Sequence, residues 1–229
     1  MILKAVQKAP RFNRWMFNQF APHLGDEVLE AGCGIGNLTQ LALHNKRLLS
    51  IDIDPFYIDR MQKQYGNLSN LTVLQADITS EGDMARAAEG GGFDGAYCSN
   101  VIEHIEDDVG AIRNLASTLK PGGKLVVLVP NNPALYTGVD ETLGHCRRYS
   151  EETLCQEMKD AGLNVKSCWG FNRVGALGWR ISGKVLRRRT LSPGQMRLFE
   201  WLMPLIRVAE HVPFHSHNSV IAVGVKPAS

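Results

Sequence analysis

Short apolar runs alternate with amphipathic stretches along most of this chain. The apolar runs predict strands over 26–31, 47–52, 71–76, 93–98 and 123–129. The stretches between them predict helices over 36–45, 55–65, 80–88 and 107–118. The run at 123–129 is apolar without interruption, which is typical of a parallel strand covered on both faces. This alternation predicts an α/β fold, with helices on both faces of a mostly parallel sheet.

The C-terminal third departs from this alternation. A helix over 151–161, capped by Ser150, is followed by a sixth strand over 165–169. A seventh strand over 219–225 has a pattern compatible with an antiparallel edge strand. The stretch between these strands, 173–214, is too long for a hairpin and has helical patterning. We therefore predict a single domain over 1–229, with an N-terminal helical cover at 1–22 and a helical cap inserted at 173–214.

The turn after the first strand is rich in glycine. Gly32, Gly34 and Gly36 follow that strand, and Asp52 ends the second strand twenty residues beyond Gly32. Such glycines let the backbone approach a nucleoside, and an acid at the end of the second strand binds ribose hydroxyls. The spacing differs from the dinucleotide fingerprint, and the acid Glu30 beside the turn disfavours a pyrophosphate. The turn therefore favours a ligand with positive or zwitterionic character.

The motif LEAGCGIGNLT at 29–39 resembles the first motif of class I S-adenosylmethionine-dependent methyltransferases. Segments IDID at 51–54, VLQADI at 73–78, FDGAYCSNVIEHI at 93–105 and LKPGGK at 119–124 agree at the expected intervals. The resemblance implies a Rossmann-like sheet of seven strands with an antiparallel strand seven, and S-adenosylmethionine as cofactor. The implied cofactor-binding residues are Glu30, Gly32, Cys33, Gly34, Asn37, Asp52, Ile53, Ala76, Asp77, Ile78, Ser99 and Asn100. In particular, Asp52 would take the ribose and Asp77 the adenine amino group. A glycine turn of another α/β protein, and a turn acid at Asp77, are the alternatives.

Polar loops after strands four and five carry the candidate acceptor side. Together with the VIEHIEDD segment, the motif GHCRRYS at 144–150 resembles a small bacterial group of methyltransferases often annotated beside glycosyltransferases. The implied acceptor-binding residues are Tyr136, Asp140, Arg147, Arg148 and Tyr149. In an extended chain the two arginines point opposite ways, so we expect one to face the acceptor and the other to pair with an acid.

His104 and His145 are the candidate catalytic bases, because histidine titrates near neutrality. The alternatives are that His104 only orients its loop and that His145 makes a structural hydrogen bond. Methyl transfer needs no metal, and we find no metal-ligand spacing, so no metal is predicted.

Composition and charge restrict where the protein works. No apolar run approaches the ~20 residues of a membrane span, and five cysteines without a C-x-x-C pair predict a reducing, cytoplasmic compartment. The net charge is +2, but residues 173–229 carry nine basic and two acidic side chains, so this part is +7 and the remainder −5. Such asymmetry predicts an anionic partner.

The basic segment 179–189 predicts a peripheral contact with the anionic inner face of a membrane, with a solvated helix face as the alternative. Nucleic acid is disfavoured, because aromatic and basic residues are not interleaved. The predicted activity is methyl transfer to O or N of a small or lipid-linked, anionic acceptor. The alternatives are C- or O-methylation of a quinone-like or polyketide-like ring, and a catalytically silent cofactor-binding subunit.

Overall fold

A seven-stranded sheet forms the centre of the molecule. The computed structural model describes residues 7–186, 193–210 and 216–228, and the strand order is β3-β2-β1-β4-β5-β7-β6. The strands are β1 Glu27–Ala31, β2 Arg47–Asp52, β3 Leu71–Gln75, β4 Phe93–Ser99, β5 Leu119–Pro130, β6 Asn164–Phe171 and β7 Ser219–Val225. Strands β1 to β5 are parallel, and β7 is antiparallel to both β5 and β6. The predicted fold class is confirmed.

Helices lie on both faces of this sheet. They are α1 Pro10–Phe20, α2 Thr39–Ala42, α3 Pro55–Tyr65, α4 Glu81–Ala87, α5 Asp108–Ser117, α6 Gly138–Leu143, α7 Glu151–Asp160, α8 Arg173–Trp179 and α9 Pro193–Ala209. A π-helical turn, Arg180–Val185, directly continues α8, and a 3₁₀ turn spans Ile102–His104. None of the helices in the described ranges is both long and apolar enough to cross a bilayer.

Alternate residues of β5 divide the core into two parts. Val127 and Val129 belong to the cluster that packs against α5 and α7, whereas Val126 and Leu128 belong to the cluster that packs against α1 and α9. Because successive strand residues point to opposite faces, the helical insertion and the N-terminal helix share one face of the sheet. Three parts of the predicted cover and cap, 1–6, 187–192 and 211–214, lie outside the described residues.

Strand β7 is antiparallel, as predicted, but it is not an edge strand. It lies between β5 and β6, which places β6 at the edge. Residues 219–224 are all buried, since helices cover both faces at this point. The pattern at 219–225 is therefore that of an interior strand, and the expectation of an edge strand was wrong.

The predicted helix over 36–45 is reduced to the four residues of α2. Side chains at both of its ends bind nearby carbonyl groups: Gln40 Nε2 donates to Asn37 O at 3.1 Å, and Asn45 Nδ2 donates to Ala42 O at 2.8 Å. Such local bonds compete with helix formation. Between the glycine turn and β2, regular helix is therefore limited to the single turn of α2.

Candidate active site

The glycine turn is tied to the end of β2 by hydrogen bonds. Gly32 N donates to Ile51 O at 2.9 Å, and Gly34 N donates to Asp52 Oδ2 at 2.8 Å. Gly32 has a φ of +78°, and a Cβ atom there would lie 2.2 Å from Val101 Cγ2. Only glycine fits this position, because the turn packs closely against Val101.

Asp52 retains acceptor capacity although it already accepts two bonds. Its Oδ1 accepts from Asp54 N at 3.0 Å and its Oδ2 from Gly34 N. Each carboxylate oxygen has two lone pairs, so one on each remains for a ribose hydroxyl. Burial raises the pKa of Asp52. Ile53 is 61% exposed beside it and offers an apolar surface for a purine. These residues fit the nucleoside part of the predicted cofactor.

The other predicted cofactor residues in β1 and in the glycine turn are buried. Glu30 Oε2 accepts from Thr39 Oγ1 at 2.6 Å and from Ser50 Oγ at 2.7 Å, and burial raises its pKa. Cys33 and Asn37 are buried in the same turn. In this structure Glu30 therefore supports the turn from below, and a direct contact with the cofactor stays a prediction.

Beyond β3, Asp77 forms a turn of its own. Its Oδ1 accepts from both the backbone N and the Oγ1 of Thr79, each at 2.8 Å. Ala76 and Ile78 on either side are buried. These bonds agree with the alternative that Asp77 is a turn acid. Its contact with the adenine amino group stays a prediction.

The end of β4 has a strained backbone. Asn100 has a φ of +54°, and its Nδ2 donates to Ser99 Oγ at 3.2 Å. Met16 of α1 reaches this point, with its sulfur 3.8 Å from Ser99 Oγ. Left-handed backbone at a residue other than glycine is often found at functional sites. The N-terminal helix thus contacts the carboxyl edge of the sheet, where ligands bind in such folds.

Two histidines meet just beyond this edge. The ring centroids of His104 and His145 are 4.9 Å apart. His104 Nδ1 lies 3.1 Å from Gly144 O, so it carries the proton, and Nε2 keeps its lone pair. Partial burial of the ring, and then the neighbouring His145, lower the pKa of His104. His104 is exposed to solvent, whereas His145 is buried. His104 is therefore a neutral imidazole that a ligand can reach.

A buried carboxylate orients His145. Asp140 Oδ1 lies 3.0 Å from His145 Nδ1 and accepts from Arg148 Nε at 2.7 Å, while Oδ2 accepts from Thr137 N at 2.8 Å. Asp140 lies on α6 in a capping box with Thr137, rather than in the loop that the sequence predicted. Burial alone would raise the pKa of Asp140, but His145 and the Arg148 guanidinium outweigh it and hold it at about 2.

Both predicted acceptor-binding arginines have acidic partners. Arg148 is bound to Asp140, and its Cζ lies 4.6 Å from the centre of the Trp179 ring. Arg147 Nη1 donates to Asp108 Oδ2 at 2.7 Å. We expected one arginine to face the acceptor and the other to pair with an acid. In the structure both pair with acids, so neither has an unpaired guanidinium to offer an acceptor.

The two predicted tyrosines also bind within the protein. Tyr149 OH donates to Asp108 Oδ2 at 2.9 Å, and Tyr136 OH donates to His145 O at 2.8 Å. Tyr136 is exposed and Tyr149 is buried. Of the two, Tyr136 is the one that a ligand can reach.

Glu103 is the site residue that sequence reasoning missed. It is fully buried, and neither carboxylate oxygen has a hydrogen-bond partner among the described residues. Its Oε1 lies 3.9 Å from His145 Nε2, and burial raises the pKa of Glu103 to about 8. Donor atoms of Glu103, His104 and His145 all lie within 4.8 Å of one another, so this cluster has the donors to hold a metal ion. A signal was present: Glu103 directly precedes His104 in the sequence.

Replacing Asp52 by alanine is expected to weaken S-adenosylmethionine binding. Two charge-assisted hydrogen bonds are lost, which costs about 2–3 kcal/mol, or roughly 30- to 150-fold in Kd. Titration calorimetry measures this. The control is Asp54→Ala, because Asp54 caps α3 by accepting from Phe56 N at 2.9 Å; it should lower stability by about 1 kcal/mol and leave affinity unchanged. Unchanged affinity in a folded Asp52→Ala variant would remove Asp52 from the site.

A family model for a methyltransferase domain matches residues 7–167. Solved structures resemble the chain over nearly its whole length. A SAM dependent methyltransferase from Archaeoglobus fulgidus is 17% identical, with a TM-score of 0.62 over 95% of this chain and 94% of that chain. The N-methyltransferase NodS from Bradyrhizobium japonicum WM9, in complex with S-adenosyl-L-homocysteine, is 19% identical, with a TM-score of 0.56 over 98% of this chain and 85% of that chain. At these identities the likeness shows the fold.

A curated relative is closer in sequence but matches a shorter region. The ubiquinone biosynthesis O-methyltransferase of Xanthomonas axonopodis pv. citri is 34% identical over 114 residues, which are 49% of this chain and 46% of the relative. The match thus spans about half the length of that relative.

Proposed function

We propose that this chain, which belongs to the methyltransferase-domain family, transfers the methyl group of S-adenosylmethionine to a hydroxyl oxygen of a small or lipid-linked acceptor. The observation that carries the choice of a hydroxyl is the neutral, exposed imidazole of His104, whose Nε2 has a free lone pair. An amine acceptor needs no such base at neutral pH once it is unprotonated, whereas a hydroxyl must lose its proton during transfer.

The cofactor would bind along the carboxyl edge of the parallel strands. Asp52 would take the ribose hydroxyls, Asp77 would take the adenine amino group beside Ile53, and the glycine turn would receive the amino-acid tail. When bound, the cofactor supplies an electrophilic methyl group on its sulfonium. The strained Asn100 at the end of β4 lies on the side of this edge that leads to His104.

His104 would accept the acceptor's proton on Nε2 while its Nδ1–H stays bound to Gly144 O. His145 packs edge-on against this ring and is itself held by Asp140. We therefore place His145 and Asp140 as positioning residues and His104 as the base. Aligning the acceptor oxygen with the methyl group is the remaining contribution of the protein.

The charge and class of the acceptor rest on other observations. Because Arg147 and Arg148 are paired with acids, support for an anionic acceptor comes only from the +7 charge of residues 173–229. The curated relative is named for O-methylation in ubiquinone biosynthesis, which favours an aromatic ring hydroxyl over an aliphatic one. The match to a methyltransferase domain argues against the other alternative, a catalytically silent cofactor-binding subunit.

The test is methyl transfer from labelled S-adenosylmethionine to a panel of phenols, alcohols and amines, and to soluble and membrane extracts. We expect label on hydroxyl oxygen. Label only on nitrogen or carbon would refute the hydroxyl proposal, and cofactor binding without any transfer would favour the silent subunit. A second assay, with a chelator added, tests whether Glu103, His104 and His145 hold a metal ion. If activity is lost on chelation and restored by a divalent ion, these residues bind a metal rather than transfer a proton.

A further inference from the structure

Helix α9 is apolar on two sides. Its inner side packs into the core through Met203 and Ile206. Its outer side carries a second apolar stripe, in which Trp201, Leu205 and Val208 are 68–72% exposed. The spacing of three and four residues places these side chains along one line of the helix. A second apolar face on the outer side of a helix is exposed to water, and it is buried only when another molecule or surface contacts it.

The preceding helix adds to this surface. Leu177, Ile181 and Val185, spaced four residues apart on α8 and its π-helical continuation, are all exposed, and α8 contacts α9. Eight of the twelve strongly exposed large hydrophobic side chains in the described residues lie in this insertion. Exposed apolar side chains are therefore concentrated here, which marks an interaction surface rather than ordinary scatter.

The acids of this insertion are turned inward. Glu200 accepts from Arg11 N at 2.8 Å and from Phe12 N at 3.2 Å, at the start of α1. Glu210 accepts from Asn172 N at 2.7 Å and from Arg173 N at 2.9 Å, at the start of α8. Both carboxylates thus neutralise helix N-termini. The exposed charged side chains of the insertion in the described residues are consequently all basic: Arg180, Lys184, Arg197 and Arg207.

A cleft of about 390 Å³ lies between α1 and α9, beside the apolar stripe. Arg11 and Arg14 of α1 and Arg207 of α9 line it, together with the apolar side chains of Trp15 and Met203. Within the part of the chain that the structure describes, none of these arginines forms an ion pair. Arginine suits a phosphate because its planar guanidinium can donate two hydrogen bonds at once to phosphate oxygens, and three such groups line this one cleft.

We propose that this surface docks on a bilayer of anionic phospholipids, with a lipid phosphate in the arginine cleft and the α9 stripe in the apolar interface. A second copy of this chain fits poorly, because two such faces would bring like charges together. An amphipathic helix with basic flanks lying in the membrane plane binds anionic lipid in this way. The basic run at 187–189 lies outside the described residues, and the proposal does not use it. It is also independent of the acceptor that the active site takes.

The test is flotation of the purified full chain with vesicles of phosphatidylcholine, or of phosphatidylcholine mixed with phosphatidylglycerol. We expect binding to the mixed vesicles only, and weaker binding as salt rises. Arg14→Gln and Arg207→Gln should each weaken it about fivefold, since one basic residue near an anionic surface contributes on that order. Trp201→Ala should weaken it by several-fold through the apolar contact.

The matched control is Lys159→Gln, which removes one positive charge from α7, on the opposite face of the sheet. It should leave vesicle binding unchanged. No binding to mixed vesicles, equal binding to both vesicles, or an equal loss in Lys159→Gln would each overturn the proposal. So would a dimer of the lipid-free protein that Trp201→Ala dissociates, or tight binding of glycerol phosphate without vesicles, which would assign the cleft to a soluble phosphate.

Discussion

The His104→Gln variant is expected to lose about 10²- to 10⁴-fold in kcat, the usual contribution of a general base. Glutamine preserves the size of the side chain and a donor for Gly144 O, but it cannot take a proton. Cofactor affinity should not change, because His104 lies on the acceptor side. Stopped assays for kcat and calorimetry for Kd separate the two effects.

The pH profile gives an independent check of this role. Because the pKa of His104 is lowered from its ordinary value of 6.5, the imidazole is neutral at pH 7. The wild-type rate should therefore be flat near neutrality and fall as the pH drops through that lowered pKa; the variant should lack this fall.

His44 offers a matched control for His104. It is also exposed, and its Nδ1 lies 2.9 Å from Leu41 O, but it lies at the end of α2. His44→Gln should retain the wild-type rate. Full activity of His104→Gln, or equal losses in both variants, would exclude His104 as the base.

The Asp140→Asn variant is expected to lose about 3–5 kcal/mol of unfolding free energy, because it leaves the buried Arg148 guanidinium without its counter-charge. The Arg148 side chain is 1% exposed, so water cannot replace the lost partner. His145 would lose the acceptor that orients its ring. Urea unfolding at neutral pH measures the difference.

The pH dependence of this difference follows from the pKa of Asp140, which is about 2 in the folded protein. An acid with a depressed pKa stabilises the fold above its unfolded value and loses that contribution as the pH falls through its folded value. The difference in unfolding free energy between wild type and Asp140→Asn should stay constant above about pH 5. It should narrow between about pH 4 and pH 2. A difference in unfolding free energy below about 1 kcal/mol at neutral pH would contradict the buried pairing of Asp140 with Arg148 and His145.

Asp59→Asn is the control for Asp140→Asn. Asp59 and Lys63 form an exposed pair, with side chains 61% and 75% exposed, and solvent screens such pairs strongly. Its removal should change stability by at most about 0.5 kcal/mol.

The positions of Gly32 and Asp52 in the fold were predictable because their signals are local in sequence. Gly32 has a φ of +78°, and a glycine directly after an apolar strand is a local sign of such a turn. Asp52 is the final residue of an apolar strand, so its place at the carboxyl edge follows from the strand alone. Neither inference requires knowledge of distant contacts.

The acceptor side was less predictable because its contacts join residues that are far apart in sequence. The partner of Arg147 is Asp108, at the start of α5, and no local pattern connects them. The sequence predicted that Asp140 lies in a loop. In the structure it lies on α6, and its capping box with Thr137 directs its side chain inward. Such pairs are set by tertiary packing, which a single sequence does not reveal.

The interior position of β7 has a consequence for how the chain is made. Strands β5 and β6 leave the ribosome before β7, yet in the finished sheet β7 lies between them. Until residue 225 emerges, the nascent chain therefore exposes the unpaired edge of β5, a strand of apolar residues open to pairing with other chains. A premature stop before Ser219 would therefore remove more than a dispensable C-terminal segment. It would leave the edge of β5 permanently unpaired and detach β6 from the sheet.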